Sequence, residues 1–424
     1  MTRSTGAPLG GTERGRAVRR NTLLLAVAQG FVYASAPVML VAGSLAAREL
    51  GGRDAAAGVM IATYFLAAAA GALLTGRWMD RAGRRPGLLA AHALIGIGGL
   101  AAALFVAVGS YGALLAAAAV FGAGAGGALL GRGAVADMYP PERRGRAVGL
   151  MLAASTIGAV AGSPLVAAIQ RWADGAGVDR LVAPWFLVPA FEAAALACIL
   201  GLRPDPRALA VGSPAEVSTG AARGPRELLG LPPFRAAIVS AGIGQAAMVA
   251  VMGVAPIVVR DHGHGDLAIS GVLSVHFLGM FALMPLIGAA LDRFGRRRGL
   301  VAAAIVSAVG APAGSLSASP VVTGIGMFLV GLGWAGAYLG ATTIVSDVTS
   351  PSERSSALGL TDLLVSLSSG TGALLGGVVL EAGGFRTLTL LVAALFVPVL
   401  ALVAPLREPE PGRWRSTIAD PSHG

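Results

Sequence analysis

The chain has 424 residues, and its 32 basic residues are all arginine; with 22 acidic residues they give a formal net charge of +10. Hydrophobic residues make up 55% of the chain and charged residues 13%, about half of the quarter that is usual in a soluble globular domain. This composition excludes a soluble protein, and the absence of lysine excludes a Gly-Lys-Ser/Thr phosphate-binding loop and Schiff-base catalysis.

Twelve apolar runs follow one another along the chain, and each is about as long as the roughly 20 residues needed to cross a membrane. They are too long and too continuously apolar for the alternating strands of a barrel, which have about 10 residues each. We therefore predict an all-α membrane protein with twelve transmembrane helices. These spans, numbered 1 to 12, cover 21–47, 55–78, 87–108, 112–136, 146–169, 183–202, 234–259, 267–290, 299–317, 320–346, 356–380 and 385–405.

The predicted organisation is two bundles of six helices joined by a linker. The linker, residues 204–233, is rich in Pro, Gly, Ala and Ser, a composition typical of loops. It separates an N-terminal bundle, residues 21–203, from a C-terminal bundle, residues 234–405. Residues 1–20 and 406–424 are predicted as tails.

Arginine placement predicts the orientation. Most arginines lie in the tails and in the loops after spans 2, 4, 6, 8 and 10, and few lie in the loops between them. Loops rich in arginine face the cytoplasm. Both termini are therefore expected in the cytoplasm of a cell with this chain in its inner (plasma) membrane.

Two charged loops repeat each other in the two halves. Gly76-Arg77-Trp78-Met79-Asp80-Arg81-Ala82-Gly83-Arg84-Arg85-Pro86 follows span 2, and Gly288-Ala289-Ala290-Leu291-Asp292-Arg293-Phe294-Gly295-Arg296-Arg297-Arg298 follows span 8. A second pair follows spans 4 and 10, as Asp137-Met138-Tyr139-Pro140-Pro141-Glu142-Arg143 and Asp347-Val348-Thr349-Ser350-Pro351-Ser352-Glu353-Arg354. Each of the second pair is preceded by a series of glycines.

This paired pattern resembles the signature loops of the major facilitator superfamily of secondary transporters, particularly bacterial drug and metabolite exporters. The resemblance implies two pseudo-symmetric six-helix bundles with a site between them near the membrane midplane. It also implies transport by alternating access, with no enzymatic activity and no cofactor. The Gly158-Ala159-Val160-Ala161-Gly162-Ser163-Pro164 segment of span 5 matches an exporter motif in part, because its proline is displaced by one position.

In the family, the loop aspartate contacts the start of the eleventh helix in the outward-open state and locks the cytoplasmic side. Carried over, Asp80 would meet span 11 near Ser355 and Ser356, and Asp292 would meet span 5 near Gly145. Arginines of each loop would reach carboxylates of the second motif. The expected gating latch comprises Asp80, Arg81, Gly83, Arg84, Asp137, Glu142, Arg143, Asp292, Arg293, Gly295, Arg296, Asp347, Glu353 and Arg354. The alternative is that these arginines only set topology.

Ionisable residues inside spans are costly to bury, by at least about 2.5–3.5 kcal/mol, and so are candidates for function. Asp362 in span 11 is the first candidate for proton coupling, because eleventh helices flank the cavity in the family. Glu192 in span 6, His276 in span 8 and His92 in span 3 are further candidates. For each, interhelical packing or hydrogen bonding is the alternative.

The substrate cavity of the family is lined by spans 1, 4, 7 and 10. Here those spans offer amides, aromatic rings, a methionine and an arginine near one end of span 4. The candidates are Gln29, Tyr33, Arg132, Gln245, Met248, Trp334 and Tyr338. They predict a weakly polar, adaptable pocket, although ordinary packing between helices is an equal alternative.

The function favoured by these features is proton-coupled export of a small apolar or amphipathic compound. Uptake of a neutral metabolite such as a sugar or vitamin is the alternative, and a transport-dead membrane sensor is a third. No catalytic pair, metal-ligand cluster or nucleic-acid-binding stripe is evident in the sequence. The expected partners are the substrate, protons and the lipid bilayer, and the chain is expected to act as a monomer.

Overall fold

The computed structural model describes residues 11–210 and 223–406, and within these ranges every regular element is a helix. The helices of the first half are Gly11–Pro37, Val38–Gly43, Ser44–Gly51, Asp54–Ala82, Arg84–Ala107, Tyr111–Ala128, Gly131–Asp137, Pro141–Ala176, Ala183–Phe186 and Leu187–Leu200. Short helices Pro206–Leu209 and Pro225–Gly230 flank the part of the linker outside the described residues. The second half consists of Pro232–Asp261, Asp266–Phe281, Met284–Phe294, Arg296–Ala313, Pro320–Val348, Pro351–Ala394 and Phe396–Val403.

Every predicted span falls on helix, which confirms the predicted all-α membrane fold. Ten helical stretches of the described chain are long and apolar enough to cross a membrane. Span 9, Arg296–Ala313, starts with three arginines, which lower its mean hydropathy. Spans 11 and 12 join into one stretch across Gly384, whose φ of 75° breaks the helical backbone between them.

Span 1 departs furthest from its predicted boundaries. Its helix begins at Gly11, well before the predicted start, and the guanidinium of Arg14 donates to the carbonyl of Leu209 in the linker (3.1 Å). Further along, Val38–Gly43 is a buried π-helical segment directly after Pro37. Such segments occur where a helix adapts to a neighbour or a site.

Small residues let the helices of each half approach closely. A Cβ atom on Gly158 of span 5 would lie 1.9 Å from the carbonyl oxygen of Gly30 in span 1. In the second half, a Cβ on Gly372 of span 11 would lie 2.2 Å from the carbonyl of Ala246 in span 7. The partial exporter motif of span 5 therefore serves packing against span 1, and span 11 packs on span 7 in the same way.

The turns between spans 2 and 3 and between spans 8 and 9 each depend on one glycine. Gly83 and Gly295 have φ values of 101° and 94°, a region that disfavours other residues. In the first of these turns, Asp205 of the linker accepts hydrogen bonds from the backbone N–H groups of Arg84 (3.2 Å) and Arg85 (2.8 Å). The linker thus caps the start of span 3.

Candidate transport pathway

The two ends of the helical bundle differ in their loops and in the contacts between the halves. The arginine-rich end carries the loops after spans 2, 4, 6, 8 and 10, and the opposite end carries the remaining loops. At the opposite end, ion pairs cross between the two halves. Arg48 at the end of span 1 lies 2.5 Å from Asp261 at the end of span 7, and 2.7 Å from Asp54.

A second ion pair joins the halves nearby. Asp266 at the start of span 8 is 8% exposed and accepts hydrogen bonds from Arg180 of the first half (2.5 Å) and from Arg260 of its own half (2.6 Å). Two guanidiniums on one buried carboxylate form a charge-assisted network. Together with the pair of Arg48 and Asp261, it links the halves at the opposite end.

Backbone packing closes the same end between spans 2 and 11. A Cβ on Gly58 would lie 2.6 Å from the carbonyl oxygen of Ala373 and 3.0 Å from the Cα of Gly377. The carboxylate of Glu381 accepts a hydrogen bond from the N–H of Ala55 at the start of span 2 (3.0 Å). A carboxylate is favoured at a helix N-terminus, where N–H groups lack intrahelical partners.

At the arginine-rich end, the first charged loop is paired within its own half. The guanidinium of Arg84 lies 2.9 Å from Asp137 and 3.4 Å from Asp80. The side chain of Asp80 is 71% exposed, and its backbone carbonyl accepts a hydrogen bond from Arg207 of the linker (2.6 Å). The side chain of Asp80 is thus exposed and lies beside its own span.

The second loop repeats this arrangement. Arg296 lies 3.0 Å from Asp292 and 3.3 Å from Asp347, and the side chain of Asp292 is 74% exposed. Arg81, Arg143 and Arg293 are also exposed, and Arg293 lies over the ring of Phe294 at 5.6 Å. The predicted partners at the starts of spans 5 and 11 lie outside the described side chains, as do the latch candidates Glu142, Glu353 and Arg354.

A chain of four aromatic rings lies between the halves. Tyr33 of span 1 meets Phe281 of span 8 edge to face, with ring centres 5.5 Å apart. Phe281 meets Trp334 of span 10 in the same manner at 5.9 Å, and Trp334 stacks on Tyr338 at 5.3 Å with an angle of 13°. The two middle rings are buried, whereas Tyr33 and Tyr338 at the two ends are half-buried.

Beside the last ring, an arginine of the first half meets two groups of the second. The guanidinium of Arg132 donates to the hydroxyl of Tyr338 (3.2 Å) and lies 3.6 Å from the carboxylate of Asp362. The side chains of Arg132 and Asp362 are 43% and 56% exposed. The structure therefore joins a cavity candidate and a coupling candidate in one ion pair between the halves.

The amide candidates differ in their bonding. Gln245 accepts a hydrogen bond from the indole N–H of Trp334 (2.5 Å), which fixes the ring. Gln29 is 6% exposed, and its Nε2 has no hydrogen-bond partner among the described residues. Met248 is buried at 3% exposure. The side-chain amide of Gln29 is therefore a buried hydrogen-bond donor without an acceptor among the described residues.

Glu192 lies away from this cluster, in a buried contact among spans 1, 3 and 6. Its Oε2 is 2.7 Å from Nδ1 of His92, and its Oε1 accepts a hydrogen bond from Ser35 (3.3 Å). Glu192 is 1% exposed and His92 is 2% exposed. The contact holds three helices of one half together.

His276 is fully buried between spans 8 and 10. Its Nδ1 lies 2.7 Å from the carbonyl of Met327, and because a carbonyl only accepts, Nδ1 is the donor. Its Nε2 has no partner among the described residues. This position is typical of a histidine that ties two helices together.

Several residues of the pathway were missed from the sequence. Asp266 and Glu381 lie at span ends and Phe281 lies in the apolar run of span 8, and none of them was singled out from the sequence. The arginines of the opposite end were a signal for the ion pairs, because a few charges among apolar loops need counter-ions. The described residues contain no group of three or more His, Cys, Asp or Glu side chains placed to hold a metal.

Comparison with known proteins places this architecture in a family. A model of the Major Facilitator Superfamily matches residues 22–271 and, in a second match, residues 238–422. The MFS-type transporter YddS of Bacillus subtilis, described as uncharacterized, is 29% identical over 402 residues, covering 90% of each chain. The riboflavin transporter RfnT of Brucella anthropi is 28% identical over 405 residues, covering 91% of this chain and 94% of its own.

Among solved structures, the fold is similar to a partially occluded inward-open conformation of the xylose transporter XylE from E. coli. The TM-score is 0.69 at 15% identity, covering 93% of this chain and 98% of the other. At this identity the likeness concerns the fold alone. Taken with the family match along the chain, these findings show that the chain belongs to the Major Facilitator Superfamily and is a secondary transporter rather than an enzyme.

Proposed function

We propose that this transporter exports a small apolar or amphipathic compound in exchange for protons, by alternating access between the two ends of the bundle. The observation that carries the proposal is the pair of Arg132 and Asp362. It joins the two halves, it is partly exposed, and it lies beside the candidate substrate cluster. A proton on Asp362 would remove the charge that holds this pair.

The direction of opening follows from the contacts between the halves. Ion pairs and close glycine packing link the halves at the opposite end, whereas Asp80 and Asp292 at the arginine-rich end are exposed and paired within their own halves. We infer a state closed at the opposite end and open toward the arginine-rich end as far as the pair of Arg132 and Asp362, which still joins the halves. By the arginine rule this end faces the cytoplasm, together with both termini.

In the outward-open state, the latch loops would exchange these partners. Asp80 would turn from Arg84 to the start of span 11, and Asp292 from Arg296 to the start of span 5. The two six-helix bundles, 21–203 and 234–405, would move as bodies about the linker.

Asp362 is the coupling site that the geometry favours over Glu192, His276 and His92. Its carboxylate is exposed and lies 3.6 Å from the guanidinium of Arg132, so it can gain and lose a proton as the cavity opens to either side. Glu192 and His276 are buried in contacts that hold helices of one half together. A proton that crosses about 150 mV supplies about 3.5 kcal/mol, enough for a concentration gradient of a few hundred-fold.

Uptake of a neutral metabolite is the second candidate function. The similarity to a riboflavin transporter over most of the chain favours it. The pocket itself does not choose a direction, because a proton site at Asp362 can serve exchange or co-transport. Direction therefore has to be decided by measurement.

The test is substrate-stimulated proton movement in everted membrane vesicles, screened over cationic dyes, hydrophobic antibiotics and neutral metabolites. Discharge of an imposed pH gradient by added dyes or antibiotics supports export in exchange for protons, whereas a neutral metabolite that carries protons into the lumen supports uptake by co-transport. Asp362→Asn should abolish the response. Asp174→Asn is the matched control, because Asp174 is 52% exposed and lies 3.9 Å from Arg180, far from the cavity.

Asp80→Asn combined with Asp292→Asn should slow the response to every substrate, because the latch controls exchange and not binding. If this double variant behaves like the parent protein, the latch assignment is wrong. If Asp362→Asn still moves protons, the coupling site lies elsewhere and Glu192→Gln becomes the next variant. Absence of any response from the parent protein would contradict proton coupling.

A further inference from the structure

The four-ring chain between the halves ends in rings that can accept a further ring. Trp334 covers one face of Tyr338, and Tyr338 nevertheless keeps part of its surface exposed. The indole of Trp334 is in turn fixed by Gln245 and by the edge contact with Phe281. Tyr338 is therefore a supported ring with an open side.

Stacking on such a ring is specific to flat ligands. An aromatic pair contributes beyond the area that it buries, and a saturated ring of similar size cannot make the same contact. The arrangement of Trp334 behind Tyr338 would extend into a three-layer stack when a flat ring system binds. Tyr33, at the other end of the chain of rings, offers a second half-buried edge.

The charges beside the rings balance each other. Arg132 and Asp362 are within 3.6 Å of one another and give the site no net charge. An anion would have to displace Asp362 from Arg132, and a cation would have to displace Arg132 from Asp362. Either exchange replaces one exposed pair, worth only about 0.2–1 kcal/mol, by another, so a charged ligand gains no net attraction from the site.

One polar group at the site is left unbonded. Gln29 lies one helical turn from Tyr33 on the same face of span 1, and its Oε1 lies 3.9 Å from the position that a Cβ on Gly131 would take, next to Arg132. Its Nε2 is buried without a partner among the described residues. A buried donor of this kind is costly unless a ligand or water accepts from it.

We propose that the substrates are flat aromatic compounds without net charge, which stack on Tyr338 and accept a hydrogen bond from Gln29. This proposal rests on the proposed transport function and narrows its substrate class. It concerns binding alone, so it holds for either direction of transport.

The test is equilibrium dialysis of the purified full chain in lipid nanodiscs with defined probes. Coumarin, 2-naphthol and acridone are flat and uncharged; octahydrocoumarin keeps the lactone but loses the flat ring, and coumarin-3-carboxylate adds a negative charge. We expect at least one flat uncharged probe to bind, coumarin to bind about 2- to 10-fold more tightly than octahydrocoumarin, and the carboxylate to bind more weakly than coumarin.

Variants separate the two contacts. Tyr338→Leu should weaken the binding of coumarin about 2- to 10-fold and leave the binding of octahydrocoumarin unchanged. Tyr338→Phe should keep the ratio between the two Kd values of the parent protein. Gln29→Leu should weaken both lactones by a similar factor, because both present the same acceptor. Trp172→Leu is the matched control, because Trp172 is 59% exposed near the opposite end of span 5.

Equal binding of coumarin and octahydrocoumarin, tighter binding of the carboxylate, or no binding of any flat probe would overturn the proposal. So would a Tyr338→Leu variant that keeps the ratio of the two Kd values. If flat probes bind but move no protons in vesicles, the proposed proton coupling fails and this inference stands. If other compounds move protons and no flat probe binds, the proposed proton coupling stands and this inference fails.

Discussion

Arg48 at the end of span 1 and Asp261 at the end of span 7 form an ion pair across the two halves, with Nη1 and Oδ1 2.5 Å apart. Their side chains are 33% and 48% exposed, and pairs in such positions contribute only about 0.2–1 kcal/mol. A weak contact suits a protein that must open and close at this end, because its two states have to be of similar free energy.

The first prediction concerns this pair. Arg48→Gln should shift the population toward the state open at the opposite end, by a factor of about 1.5 to 5. Spin labels at Val108 and Leu316, exposed residues after spans 3 and 9, would report the separation of the halves in a Cys198→Ala background. The fraction of long distances should rise.

Arg386→Gln is the control for this change, because Arg386 is an exposed arginine at the same end. Asp261→Asn should resemble Arg48→Gln, and the double variant should add little to either single one, because both remove the same pair. Additive shifts from the two changes would contradict the assignment.

The second prediction concerns the packing of spans 2 and 11. Gly58→Ala places a Cβ 2.6 Å from the carbonyl of Ala373, so the spans must separate at an expected cost of about 1–3 kcal/mol. The same spin labels should then report a wider opposite end. The change should also reduce transport, because this end can no longer close fully.

Gly112→Ala provides the matched comparison, because Gly112 starts span 4 at the same end and a Cβ there meets nothing within 4 Å. Both changes raise helix propensity equally, by about 1 kcal/mol, so the difference between them isolates the contact. Identical label distances in the two variants would show that Gly58 does not set the closure.

The third prediction concerns the buried contact of His92 and Glu192. His92→Leu leaves the Glu192 carboxylate in an apolar surrounding with Ser35 as its remaining partner, and should lower the free energy of unfolding by about 3–5 kcal/mol. Thermal unfolding followed by circular dichroism in detergent measures the loss.

The double variant His92→Leu/Glu192→Leu should be more stable than His92→Leu, since it removes the unpaired group as well. Proton-coupled transport should survive in any of these proteins that fold, because this contact lies within one half. A double variant that is less stable than the single one would mean that the contact itself contributes net stability.

The fourth prediction concerns the linker. Asp205→Ala removes the cap of span 3 and should cost about 0.5–2 kcal/mol of stability, because two backbone N–H groups lose their acceptor. Asp80→Ala is the comparison, because Asp80 is an exposed carboxylate beside the same turn. Equal unfolding temperatures for the two variants would contradict a capping role.

The membrane fold could be predicted from local sequence. Continuous apolar runs of about 20 residues have one stable form in lipid, the helix, because it bonds its own backbone groups. The two copies of the charged loop made the repeat of six spans visible, and the turn glycines, Gly83 and Gly295, followed from the loop pattern. The boundary between spans 11 and 12 was also predicted, because Gly384, which breaks the helical backbone, lies in the gap between 356–380 and 385–405.

The candidate site was predicted only in part. The spacing of four residues predicted that Gln29 and Tyr33 share one helix face and that Trp334 and Tyr338 share another, because residues i and i+4 of a helix are neighbours. The ring of Phe281 and the partner of Asp362 come from other spans, so no spacing along the chain could indicate them.

What the sequence by itself determined is therefore the number of spans, their repeat and the family, all of which depend on local composition and on motifs within single loops. Only the tertiary structure decided which charges meet: Arg48 with Asp261, Arg132 with Asp362, and His92 with Glu192. These partners lie on different helices, and their distance depends on how closely the glycine-lined helices approach and how they are rotated. That geometry is set by packing across the whole bundle and has no signature in any one segment.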